Sequence, residues 1–385
     1  MSRIVHLITG LDVGGAELML LALLTQMTPE ERAGHRVISL IPPGPVGELI
    51  GKLGVPVDHL GMEPGRISLR GLLQLRSLLR SEPRWFLQGW MYHANLLATL
   101  TCLLAFRPRQ HIWGIHHSLH QLAREKRLTR WIIRLSAVLS YLPRAIIYVA
   151  QRSARQHEAL GYSKAATRII HNGYDPQRLQ PDAQARARLC AEFGLDVTRP
   201  VIGHVARWDW TKDHATFIHA LAQQPALQAV LIGKGVDAQN AQLVALLQQA
   251  GVTDRVCLAG YRADVPQLMP GFDVYCLSSV TECFPNVVAE AMLCGVVCVV
   301  TDVGDAGLMV GDTGYVVPPG DARAMAQALG QAASHPQQGA AAGHTQNGAA
   351  ARHTQNGAAA RQRIMDNFTI SGMMQAYRAL YAEIL

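Results

Sequence analysis

The chain has 385 residues, 49% of them hydrophobic, and a formal net charge of +7. This composition excludes an intrinsically disordered protein, and the length exceeds one ordinary core, so two domains are expected. The charge is uneven: residues 1–200 carry 25 Lys and Arg against 14 Asp and Glu, and residues 201–385 carry 10 against 14. A basic half suits phosphate-bearing molecules or an anionic membrane surface; no basic stripe with interleaved stacking aromatics occurs, so nucleic acid is set aside.

In chain order, the opening reads strand, glycine loop, helix: Ile4–Ile8, then Gly10–Gly15, then the Leu- and Ala-rich run Ala16–Gln26. Alternation continues through HRVISL, a helix near 47–53, PVDHL, a helix over 69–79 and WFLQGW. A helix over 96–104, HIWGI, AIIYV, a helix over 153–160 and TRIIHNG complete this half. The polar stretch 177–199 separates the halves. The pattern restarts with PVIGHVA and runs through AVLIG, RVCLAG, DVYCLSS, VVCVVT and GYVVPPGD, each followed or separated by helical segments. Strand–helix repeats of this length imply parallel sheets covered by helices, here two doubly wound α/β domains in tandem. Near the end HTQNGAAAR occurs twice, at 344–352 and 353–361, a period too short for a solenoid unit. The final stretch, FTISGMMQAYRALYAEIL, is amphipathic.

The seven cysteines are odd in number and form no CxxC pair, so neither a zinc site nor a disulfide framework is indicated. The opening MSRIVHLITG lacks the apolar stretch of a signal peptide, and His93, Asn95, Thr99 and Thr101 break the uncharged run 89–106 too often for a membrane span. A cytoplasmic protein is expected, with attachment to the inner face of the cytoplasmic membrane left open.

Five stretches can carry chemistry. In LDVGGAEL, Gly14 and Gly15 let the backbone approach a phosphate at a helix N-terminus; a plain tight turn is the alternative. In VARWDWTKDH, Arg207 and Lys212 follow directly on a strand. Open parallel sheets bind ligands beyond the carboxyl ends of their strands, so two cations there can hold a diphosphate, unless both are solvated loop charges. In TECFPNVVAEAM, Glu282 lies in a loop at the same edge and Glu290 sits inside an apolar helix, with Pro285 suited to its first turn and Gly295 to its end. A glycosidase-like acid–base pair is less suitable than a binding pair: Glu290 accepting from a diol such as a ribose, Glu282 touching a sugar hydroxyl. In HIWGIHHSLH, His116 and His117 end a strand, and strand alternation lets at most one face the ligand edge. Finally, 122–144 sets Lys126, Arg127, Arg130 and Arg134 beside Trp131, Leu135 and Val138, which suits an anionic bilayer or a core helix with a solvated basic face.

Together these motifs resemble the family 4 glycosyltransferases, retaining enzymes of the GT-B fold. Glu282 and Glu290 match the family's E-x7-E signature, EAMLCG continues it, and VARWDWTKDH, LIGKG, LAGYRADV, TDVGD, GYVVPPGD and HNGYD fall in the family's order. LDVGGAEL, QGWMYHANL and GIHHS are similar to the subgroup found in polysaccharide and glycolipid assembly. GDAG at 304–307 and WMYHAN depart from the family's usual GDxA and WMYHAD, which leaves Asn95 in question as an equivalent of that acid. The resemblance implies two Rossmann-like domains facing across a cleft: 1–190 on the acceptor side, 191–365 binding the nucleotide sugar, and a helix over 366–385 packing back on the first. It implies that Arg207 and Lys212 bind the donor diphosphate and that Glu290 binds the ribose. Glu282 contacts the donor sugar with help from Phe284, Pro285 and Asn286. Gly14 and Gly15 line the phosphates or the acceptor side, and a histidine of GIHHS, His117 in preference to His116, contacts the transferred sugar. The implied activity is metal-independent, retaining transfer from a UDP- or GDP-sugar to a saccharide or lipid-linked saccharide, with no cofactor. A nucleotide-sugar epimerase of the same fold and an inactive nucleotide-sugar-binding protein are the alternatives.

Overall fold

The computed structural model describes residues 3–63, 68–82, 84–119, 122–334 and 348–384, with side chains from residue 356 onward in the last segment. The chain forms two units, residues 1–173 with 370–385, and residues 174–369.

In the first unit the strands are β1 (Arg3–Ile8), β2 (His35–Ser39), β3 (Val57–His59), β4 (Trp85–Trp90), β5 (His111–Ile115), β6 (Ile146–Tyr148) and β7 (Thr167–Ile169). They form one parallel sheet in the order β3-β2-β1-β4-β5-β6-β7. The strands are buried apolar runs because helices cover both faces, so the sequence shows no alternation along them. The order of pairing reverses at β1 and β4, and the carboxyl ends of these two strands flank the crevice where such sheets take ligands.

The second unit repeats the scheme with β8 (Val201–Val205), β9 (Gln228–Ile232), β10 (Val256–Leu258), β11 (Val274–Leu277), β12 (Val297–Thr301) and β13 (Tyr315–Val317). Their order is β10-β9-β8-β11-β12-β13, again parallel, with the reversal at β8 and β11. Two doubly wound α/β sheets were expected from the alternation, and both are present.

The division between units falls at residue 173, earlier than the expected 190, and the second unit runs to 369 instead of 365. Backbone and side-chain bonding explain the shift. Tyr174 bridges to Thr369, and Arg361 donates to the carbonyls of Pro176 and Leu179 at 2.8 and 2.7 Å. The helix Ala185–Phe193, inside the stretch read as a linker, sends Arg186 to buried Asp273. The helix Ile370–Ile384 belongs to the first unit. Its Met373, Tyr377 and Tyr381 share a core with Leu20 and Leu23, Tyr381 Oη donates to Gln88 Oε1 at 2.6 Å, and Arg378 pairs with Glu31. The first copy of the nine-residue repeat begins outside the described residues; the second lies within the helix Gly348–Asn367. Among the described residues no helix is long and apolar enough to cross a membrane.

Histidines buried under the sheets give the fold an acid limit. Burial pushes His35, His116, His157 and His214 down to about 4, and His111 to about 3. Each is neutral when folded and takes up a proton near pH 6.5 when unfolded, so the unfolded state binds more protons between these values. Stability is therefore fully present above about pH 7 and declines as pH falls from about 6.5 toward 4. Thermal melts between pH 7.5 and 4 should show a falling midpoint over this window; a flat midpoint from pH 7 to 5 would contradict the neutral, buried imidazoles.

Candidate functional site

In the second unit the chain leaves β8 into a loop that ends in the short 3-10 turn Trp210–Lys212. Asp209 shapes it by accepting from the Thr211 backbone N–H at 3.0 Å and from its hydroxyl at 2.5 Å. Asp213 follows in the left-handed region (φ 45°) and caps the helix His214–Ala222 by accepting from the Thr216 N–H. This tight sequence of turn and cap aims Lys212 across the switch point. Its Nζ donates to Glu282 Oε1 at 2.5 Å, and Ser279 Oγ donates to the same oxygen at 2.7 Å.

The loops are fastened to one another. Ser278 Oγ donates to the Lys212 carbonyl at 2.7 Å and contacts His204 Nε2 at 2.9 Å; the Val280 N–H donates to the Thr211 carbonyl at 2.8 Å. From β12, Thr301 Oγ1 donates to the Ser279 carbonyl at 2.7 Å, and the Asp305 N–H donates to the Cys283 carbonyl at 3.0 Å. Gly304 (φ 52°) closes this wall: a Cβ there would stand 2.3 Å from the Cys283 carbonyl oxygen. Loops after three strands thus hold one carboxylate and one ammonium in place, a preorganised polar edge.

Arg207 extends from the same loop with 66% of its side chain exposed, its Nε 3.7 Å from Asp209 Oδ2. Glu290 is half-buried in the helix Asn286–Leu293, among buried Val288, Ala289, Ala291 and Met292. Burial raises its pKa above the ordinary carboxylate value, and the charge of Arg178 opposes part of that rise. Pro285 is the N-cap of this helix, one position before the expected first turn, and Gly295 (φ 74°) follows its last turn. Phe284 is buried and packs near Tyr174 and Phe368, with ring centroids 6.5 and 5.4 Å away; Asn286 Oδ1 accepts from the Tyr174 hydroxyl at 2.8 Å. The side chain of Phe284, expected beside a donor sugar, is therefore a packing group that seats the helix start.

In the first unit Gly14 is the N-cap of the helix Gly15–Thr25 and follows β1 at the switch point. It carries no positive φ; a Cβ there would meet the flexible Glu17 carboxylate at 2.4 Å. Gly15 is the first residue of the helix. His116 and His117 both lie beyond the end of β5, so strand alternation does not sort them. His116 stacks on Trp90, centroids 5.1 Å apart, and both its ring nitrogens are buried without a hydrogen-bond partner among the described residues. His117 has a partner: its Nε2 lies 2.9 Å from Glu125 Oε1, and this contact holds the Glu125 carboxyl below the usual range. Asn95, at the position of the family's acid, is buried and donates through Nδ2 to the Gly114 carbonyl at 3.1 Å.

The residues expected at the ligand edge of the second unit, Lys212 and Glu282, meet directly, and Arg207 rises from the same loop as Lys212. Ser278, Ser279 and His204 were not anticipated. Serines and a buried histidine carry no signal until the loops that they join are known.

A model described as Glycosyltransferase Family 4 matches residues 13–178, and one described as Glycosyl transferases group 1 matches residues 199–335. The chain is 33% identical over 143 residues to the lipopolysaccharide core biosynthesis glycosyltransferase LpsE of Rhizobium meliloti, covering 37% of this chain and 42% of that one. It is 26% identical over 242 residues to the 2-deoxystreptamine glucosyltransferase of Streptomyces kanamyceticus, covering 61% of this chain and 59% of the other. The match thus spans less than two thirds of either relative's length. The crystal structure of Anabaena Alr3699/HepE in complex with UDP superimposes with a TM-score of 0.81 over 99% of this chain and all of that one, at 23% identity, which speaks for the fold.

Proposed function

Since the chain belongs to glycosyltransferase family 4, we propose that it transfers a sugar from a nucleotide diphosphate sugar to a saccharide or lipid-linked saccharide with retention of configuration. The observation that carries this reading is the Lys212–Glu282 pair at the β8/β11 switch point, with Arg207 on the adjoining loop. Lys212 and Arg207 balance the charge that grows on the diphosphate as it leaves, so the transfer needs no metal ion and no cofactor. Glu290 accepts from the ribose diol, and Glu282 turns from Lys212 to a hydroxyl of the donor sugar. Asn286 is the first residue of the helix that carries Glu290.

The glycine loop 14–15 and the histidines of GIHHS lie in the first unit. His116 suits the sugar better than His117, the residue favoured on sequence grounds. Its neutral ring holds nitrogens that a hydroxyl can satisfy, whereas His117 is engaged with Glu125. Alanine at 116 should therefore lower kcat more than alanine at 117.

A panel of UDP- and GDP-sugars, assayed for nucleotide release with and without saccharide acceptors and with a chelator, tests the proposal. UDP-glucose is the first donor to try, because the Anabaena relative is described in complex with UDP and with UDP-glucose. Acceptor-dependent release that survives chelation, with an α product from an α donor, is the expected outcome. Isomerisation of donor alone would replace the proposal with an epimerase. Glu290→Gln should raise the donor KM by roughly 10- to 100-fold with a smaller change in kcat, the scale of one lost charged hydrogen bond. An unchanged KM would remove the ribose role.

A further inference from the structure

His6 on β1 is fully buried, and no part of the proposed transfer uses it. Parallel pairing puts it on the same sheet face as His35 on β2 and Trp90 at the end of β4. The three rings form a row. Trp90 Nε1 donates to His6 Nδ1 at 3.2 Å, and His6 Nε2 lies 2.9 Å from His35 Nδ1. An indole nitrogen only donates, so His6 Nδ1 is an acceptor. The single proton of a neutral His6 therefore sits on Nε2 and is donated to His35. Burial holds both imidazoles below their ordinary pKa, His35 at about 4, so at neutral pH the row is uncharged and runs in one direction.

The indole fixed in this way lies against His116, with ring centroids 5.1 Å apart and planes 22° apart. An imidazole at a reacting centre is ordinarily oriented by a hydrogen bond from its second nitrogen to a carboxylate or carbonyl. His116 has none: neither ring nitrogen finds a partner among the described residues. Stacking on Trp90 is the contact that sets its plane, and it leaves both nitrogens available. The backbone is bent to make this contact. Met91, directly after Trp90 at the β1/β4 switch point, has φ 71°, a left-handed conformation that a non-glycine residue keeps only where its surroundings impose it. A purely structural role at position 90 needs only apolar bulk, whereas here two buried imidazoles are committed to the angle of one indole.

We infer that Trp90 is a positioning residue for sugar transfer: its indole, oriented by His6, holds the plane of the His116 ring and leaves both ring nitrogens open to hydroxyl groups of the sugar. The inference rests on the proposed contact between His116 and the sugar, and it names what aims that ring.

Two measurements on the full chain test it. In NMR spectra of histidine-labelled protein, the His116 ring protons, identified by their loss in His116→Ala, should lie upfield because the indole shields them. Trp90→Leu should abolish that shift, and Trp90→Phe should keep part of it. Initial rates are the second measurement. Trp90→Leu should lower kcat by roughly 100-fold, the scale of a misplacement of about 1 Å, with the donor KM changed by less than about threefold. Trp90→Phe should recover most of the loss. In the His116→Ala background, Trp90→Leu should lower kcat by less than about twofold further, while its effect on the thermal midpoint stays the same in both backgrounds. His6→Leu, which leaves Trp90 in place, should lower kcat by roughly tenfold, the scale of one lost buried hydrogen bond. His6→Asn, whose carbonyl can take the indole N–H, should restore it. An unshielded His116 in wild type, a kcat unchanged in both Trp90→Leu and His6→Leu, or an equal loss on Trp90→Leu with and without His116 would overturn the inference. Absence of transfer by wild type, or full transfer by His116→Ala, with the shielding intact, would overturn it through the reading on which it rests, and that combination tells the two failures apart.

Discussion

On the proposed function, replacing Lys212 by alanine is expected to lower kcat for sugar transfer by about 100- to 1,000-fold, the cost of deleting one preorganised charge aimed at a developing anion. The expectation rests on how firmly this side chain is held. Asp209 and Asp213 fix the turn on either side of it, Ser278 ties its carbonyl, and Glu282 receives its Nζ. A charge held in this way costs no reorganisation when the diphosphate departs, whereas Arg207, largely exposed, is screened and should matter less. Lys212→Arg should recover part of the loss, because charge is kept while the point of delivery moves. Initial rates at saturating donor, compared among Lys212→Ala, Lys212→Arg and Arg207→Ala, provide the measurement. A loss below about fivefold in Lys212→Ala would mean that the leaving group is stabilised elsewhere.

Asp273→Ala is expected to destabilise the second unit by about 3–5 kcal/mol, the largest stability effect foreseen here. Asp273 is 2% exposed. Its two oxygens each lie 3.0 Å from Arg186 Nε, and Oδ2 also accepts the Val201 N–H at 2.7 Å. Arg186 in turn donates to the carbonyls of Val197 and Arg199. Truncation would leave Arg186 Nε and the first N–H of β8 without their acceptor and the half-buried guanidinium without its counter-charge, and an uncompensated buried charge costs more than an intact pair contributes. Asp273→Asn keeps an acceptor and should cost less. Because two units need not unfold together, native-state hydrogen exchange of β8 and β11 reads the effect better than a single melt. Protection of these strands that matches wild type would show that Asp273 is dispensable.

The same pair illustrates why some features were hidden in the sequence. Asp273 opens DVYCLSS as an ordinary strand-edge acid, and Arg186 lies 87 residues earlier in a stretch read as a linker. Nothing local marks either as a partner of the other, so the chain alone does not show that 177–199 belongs to the second unit. Glu282 and Lys212 each stand in the loop region after an apolar strand, and strand ends are where parallel sheets collect ligands. Their direct contact, and the serines that brace it, depended on the register of β8 beside β11.

The two histidines show the limit of periodic reasoning. Alternation assumes that a strand continues, yet β5 stops at Ile115, so packing on Trp90 and the reach of Glu125 decided which ring lies inside. The basic segment shows it again: the helical period of 127–139 was legible, but not which apolar residues the rest of the unit would cover.

Local alternation of strand and helix is a property of neighbouring residues, since backbone preference and apolar periodicity act over a few positions; for that reason two parallel, doubly wound sheets, the position of Arg207, Lys212 and Glu282 in loops after strands and that of Glu290 within a helix could be read from the chain alone. The order in which strands pair, the partner of each buried charge, the unit that claims the last helix and the apolar face left bare on Arg127–Leu139 were decided by tertiary structure. Those outcomes depend on contacts between residues tens to hundreds of positions apart, where the burial of one side chain is set by what the others leave uncovered.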